Sequence, residues 1–106
     1  MSSNGRPPYQ LRPLPRATDQ IKVLSEKAIQ EGAKKLFVDA LKKLSTALET
    51  EPKESGDPER SLKKPGGTLF HAVFGPLFVQ YAVYEHERTV LILKVLPMPG
   101  SALDKP

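Results

Sequence analysis

A chain of 106 residues with eleven prolines and 39% hydrophobic residues has material for one modest core and little more. It contains no cysteine, which excludes disulfides, thiolate zinc sites and thiol catalysis and fits a reducing compartment. The net charge of +4 is weighted to the front, where Arg6, Arg12 and Arg16 stand without an acid, and this suits nucleic acid or an acidic protein segment as readily as it serves solubility.

Residues 1–8, MSSNGRPP, have no apolar pattern and are expected to be disordered; a single domain is expected over residues 9–98, with a flexible tail over 99–106. Apolar and polar residues alternate through Tyr9-Gln10-Leu11-Arg12-Pro13-Leu14, predicting one short strand that Pro13 confines to an edge or an end. Thr18 or Asp19 can then accept from the free backbone N–H groups of a helix entrance. Ile21, Leu24, Ala28 and Ile29 line one face of that helix, and Gly32 marks its end. A second helix is more plainly written. Leu36, Phe37, Ala40, Leu41, Leu44 and Leu48 recur at three- and four-residue spacing, with Lys34, Lys35, Asp39, Lys42 and Lys43 on the other side. Almost no linker separates the two, which predicts an antiparallel hairpin. Residues 49–67 are polar and turn-rich and read as a surface loop with a short turn near Pro58 to Leu62.

Residues 68–96 are dense in β-branched and aromatic side chains, broken only at Gly75-Pro76 and at Glu85-His86-Glu87-Arg88. Three apolar runs with two turn signals predict a three-stranded meander. The expected fold class is α+β: an antiparallel sheet, made of the short N-terminal strand plus this meander, with the helix hairpin packed on one face. Gln80 and Lys94 are the polar interruptions of the last two runs, so the economical assignment places both on the uncovered face. Phe70, Ala72, Phe74, Val79, Tyr81, Val83, Leu91, Leu93 and Val95 then face the helices. Leu69, His71, Val73, Phe78, Tyr84 and Ile92 face outward. That pairing requires a connection of odd length around His86, or a bulge. An apolar face with a few polar groups marks a site for a partner.

The succession of strand, helix hairpin, polar loop and meander resembles the RelE/ParE family of type II toxin–antitoxin toxins. The likeness is carried by YQLRPLPRA ahead of a helix and by LFHAVFGPLFVQYAVYEHERTVLILKV, with its Gly turn, its strand ending in Tyr, its acidic turn and its valine-rich last strand with a basic residue. It spans residues 9–98. The resemblance implies a concave sheet face that works on a macromolecular target: ribonuclease members cleave mRNA on the ribosome, and others poison DNA gyrase. It also implies a cognate antitoxin with a segment lying across the toxin. Lys94 keeps a basic position of the family pattern and His71 stands at another. Val73 and Phe78 replace basic residues, and Leu96-Pro97-Met98-Pro99 follows the last strand where ribonuclease members carry His or Arg.

RNA cleavage without a metal needs a base for the 2′-hydroxyl, cations for the phosphorane charge and an acid for the leaving oxygen. His71 and Lys94 are the candidate catalytic residues, and Tyr84 can stack a base. Arg60, Lys63 and Lys64, ahead of Pro65-Gly66-Gly67, are candidates for gripping phosphates, and Phe78, Gln80 and Ile92 for the apolar contact surface. Each has a plainer reading: an idle surface histidine, an edge-protecting lysine, a solvated loop. His86 sits in a charged turn without a role, and Tyr81 is a core tyrosine with a satisfied hydroxyl. No metal-ligand spacing or cofactor motif occurs, so neither is expected. No apolar run reaches the ~20 residues of a membrane span and the N-terminus lacks a signal-peptide core, which makes a cytoplasmic home the expectation. The rival to a ribonuclease or gyrase poison is a non-catalytic protein-binding module on the same fold.

Overall fold

The computed structural model describes residues 7–63 and 66–104, so residues 1–6 of the segment 1–8 expected to be disordered lie outside the described residues, as do Lys64, Pro65 and the last two positions. Strand β1 (Gln10–Pro13) leads into helix α1 (Pro15–Gln30), followed by α2 (Lys34–Thr50), β2 (Asp57–Ser61), β3 (Thr68–Phe74), β4 (Leu77–Tyr84) and β5 (Thr89–Pro97). The five strands form one sheet in the order β1-β5-β4-β3-β2. All neighbouring pairs are antiparallel except β1 with β5, which run parallel.

The helices follow their predicted stripes. Leu24 and Ala28 of α1 and Phe37, Ala40, Leu44 and Leu48 of α2 are buried, whereas Ile29 and Leu36 are exposed. Helix α1 begins earlier than Thr18, because Pro15 takes its first position, where a missing N–H costs nothing. It ends at Gly32, whose φ of +72° turns the chain directly into α2.

The meander forms as expected. Gly75, at φ +58°, opens the two-residue turn between Phe74 and Leu77. Four residues, Glu85 to Arg88, join Tyr84 to its partner Thr89, and Arg88 takes a positive φ of 49°. An even connection sets Val90 opposite Val83, beneath the helices. A bulge then inserts Leu93 between the pairs Tyr81↔Ile92 and Gln80↔Lys94, which reverses the alternation. The expected faces therefore hold for Lys94 and Val95 and are inverted before them. Ile92 is buried at 3% exposure and Val90 at 0%, while Leu91 and Leu93 are half-exposed and take no part in the core cluster.

Residues 49–67 contain a strand where a loop was expected. Every residue of β2 is exposed, so no apolar alternation announces it; it exists through backbone pairing to β3, with Glu59 as an extra bulged residue. The loop before it is pinned by Tyr81, whose fully buried hydroxyl donates to the Pro52 carbonyl at 2.7 Å. Burial pushes this phenol well above the ordinary tyrosine range. Gly56 lets the loop close, since a Cβ there would lie 2.5 Å from both the His71 carbonyl oxygen and the Tyr81 hydroxyl. Beyond β5, residues 99–104 turn back rather than trail away: Leu103 enters the core at 2% exposure, and Asp104 accepts from the Gly100 N–H.

Candidate functional site

Both helices and the core cluster lie on one side of the sheet, where Phe70, Ala72, Val79, Tyr81, Val83, Val90, Ile92 and Val95 meet them. Alternation sends their neighbours to the other side. Register arranges these neighbours in rows across the strands. One row runs Arg12–Leu91–Ala82–Leu69–Arg60, and the next runs Lys94–Gln80–His71–Asp57. A third contains Leu96, Phe78 and Val73. Leu69 and Ala82 are buried yet stand apart from the core cluster, so they form the apolar floor of this second face.

The polar row holds a specific contact. Glu59 reaches over from the β2 bulge with both carboxylate oxygens: Oε2 lies 2.9 Å from His71 Nδ1, and Oε1 accepts from Gln80 Nε2 at 3.1 Å. The other ring nitrogen of His71, Nε2, lies 3.8 Å from Asp57 Oδ2. The imidazole also stacks on Phe78, with ring centroids 5.8 Å apart. Lys94 stands directly opposite Gln80, two strands from His71, a Cα separation of roughly 10 Å at ordinary strand spacing. Long side chains at that separation can close on one phosphodiester. Lys94, Arg12 and Arg60 make no ion pair with any described residue, leaving their charges available to a ligand.

Of the residues singled out from sequence, the fold brings His71, Gln80, Lys94, Phe78 and Arg60 onto one surface. Tyr84 is on the same face one row away, its ring over Gly67, where a Cβ would lie 2.6 Å from it. Lys63 is exposed beyond the end of β2, and Lys64 is outside the described residues. Ile92 does not belong to this surface: the four-residue connection sets it inward with Val90, under α1, and the Leu93 bulge restores the outward direction only from Lys94 on, so Ile92 can offer nothing to a partner there. Two residues were missed. Arg12 pairs with Leu91 because β1 joins the edge of β5, a long-range pairing that local alternation does not encode. Glu59 was hidden in a segment whose strand character rests on backbone bonds alone.

No protein-family model matches the chain, and no curated protein matches it. Solved structures do. The toxin–antitoxin complex RelBE2 from Mycobacterium tuberculosis superposes with a TM-score of 0.64 at 22% identity, over 90% of this chain and 97% of that one. The archaeal RelE–RelB complex from Pyrococcus horikoshii gives 0.57 at 19% identity, over 88% and 98%. The chromosomal ParDE toxin–antitoxin system from P. aeruginosa gives 0.61 at 14% identity, over 85% and 96%. The chain thus has the RelE/ParE-like toxin fold along nearly the full length of each neighbour.

Proposed function

We propose that this protein is the toxin component of a type II toxin–antitoxin pair, which engages RNA through the sheet face opposite its helices and is neutralised by a cognate antitoxin. The reading is carried by one observation: the fold shared with such toxins leaves the sheet face opposite the helices uncovered by the described residues, and Arg12, Arg60, His71 and Lys94 stand on it beside the partly exposed Leu91 and Phe78. Cations hold phosphates, and apolar and aromatic side chains stack or shelter bases, which is the pairing that single-stranded RNA requires. If the chain cleaves RNA, His71 is the proton-transfer group and Lys94 the charge stabiliser, with Arg60 and the neighbouring Lys63 and Lys64 holding the strand.

A second reading, a non-catalytic binding module acting on a protein such as gyrase, draws support from His71 itself. Both of its ring nitrogens face carboxylates, and β5 runs out beyond Lys94 as Val95, Leu96 and Pro97, without an acid or base.

Induced expression in a bacterial host, with and without the adjacent reading frame, tests the shared premise. Growth arrest relieved by an antitoxin-like neighbour is the expected result, and absence of arrest overturns the toxin role. Mapping of mRNA ends on stalled ribosomes, beside a gyrase supercoiling assay, then separates the two readings.

A further inference from the structure

His71 and Gln80 are register partners on β3 and β4, so the ladder of the sheet fixes the separation of their side chains. Each donates to a different oxygen of the same carboxylate, that of Glu59. A phosphodiester presents two donors with the same pattern, a pair of anionic oxygens on one atom. Glu59 is also the unmatched residue of a bulge on an exposed edge strand, so it can withdraw without breaking the pairs Asp57↔His71, Pro58↔Phe70 or Arg60↔Leu69. On one side of the clamp stands Lys94, opposite Gln80, and on another Phe78, stacked on His71; a cation and an aromatic ring are the complements of a nucleotide's phosphate and base.

We propose that His71 and Gln80 form a phosphate clamp for single-stranded RNA, which the chain holds closed with its own Glu59. The carboxylate is a competitor in cis, and RNA binding includes its displacement. The choice of RNA rests on the function proposed above; the clamp and its internal occupant rest on geometry alone. Asp57 Oδ2 lies 3.8 Å from His71 Nε2, beyond hydrogen-bond reach, and its backbone pairing with His71 does not depend on Glu59.

The test titrates inorganic phosphate into the purified full chain while following the His71 imidazole nitrogen resonances. Glu59→Ala should bind phosphate about tenfold more tightly than the parent, the scale of one charge-assisted contact. Glu26→Ala removes an equal charge from the exposed surface of α1 and should stay within about twofold. Glu59→Gln keeps the length and hydrogen-bonding reach on β2 and should give a smaller gain, which guards against a β2 loosened by the alanine. A labelled single-stranded RNA should rank the variants in the same order, and His71→Ala in the Glu59→Ala background should abolish the gain. Equal phosphate affinity of Glu59→Ala and parent, or an equal gain from Glu26→Ala, overturns the clamp. A phosphate gain without an RNA gain overturns its assignment to nucleic acid. Absence of growth arrest in the expression assay removes the toxin role while leaving the phosphate result standing.

Discussion

On the helix side of the sheet, Val79, Tyr81, Val90 and Val95 are all at 0% exposure, packed against α1 and α2. At neighbouring registers on the other side stand Gln80, His71, Lys94 and Arg60, in reach of water, with a carboxylate resting on two of them. The first side is determined by volume, where each methyl group has one place to go. The second is determined by charge, where partners can be exchanged for a ligand at small cost. One backbone thus carries a surface that resists substitution and one that invites it.

The sharpest way to break this contrast is the pair Ile92→Ala and Leu91→Ala. Ile92→Ala should cost about 2–5 kcal/mol in urea unfolding and Leu91→Ala about 1 kcal/mol or less. Similar values for the two would mean that the Leu93 bulge does not divide the strand as described. Next in size is Gly56→Ala, expected to destabilise by about 1–3 kcal/mol, because the new methyl group would meet backbone at His71 and the Tyr81 hydroxyl. A neutral outcome in thermal unfolding would show that the Pro52 loop is not held tightly. Tyr81→Phe should cost about 1–2 kcal/mol by leaving the Pro52 carbonyl unsatisfied. Its parent phenol also makes stability pH-dependent. The folded state holds the proton above the ordinary pKa of 10, so the unfolded chain ionises first; stability is intact below that value and falls as pH rises beyond it. Tyr81→Phe should flatten that fall above about pH 10. The smallest stability effect belongs to Lys94→Glu, within about 0.5 kcal/mol, while under the proposed function growth arrest and antitoxin affinity should both change. Unchanged function would remove Lys94 from the working surface.

The covered side was legible because burial imposes a period. Phe37, Leu44, Phe70, Val79 and Tyr81 announced their positions by spacing alone, and the α+β architecture followed from where those stripes begin and end. Ile92 failed for a local reason: one inserted residue reverses a period of two, and nothing in Val90-Leu91-Ile92-Leu93 distinguishes the inserted residue from its neighbours. The open side was legible only in part. His71, Gln80 and Lys94 stood out as polar breaks in apolar runs. Glu59 and Arg12 did not, because their places depend on strand pairings made through backbone atoms, which leave no mark on side-chain composition.

The parallel union of β1 with β5 sets the timing of assembly. Gln10 pairs with Thr89, so the chain must be made through Thr89 before β1 has a strand partner. The same late segment supplies Val90, Ile92 and Val95 to the layer beneath α1. A fragment stalled before Thr89 has neither that layer nor a strand for β1 to pair with, and closing so long a loop is a slow step once β5 is made. The β2–β3–β4 part of the open face can pair without β5, but Arg12 and Lys94 reach it only once β5 is in place.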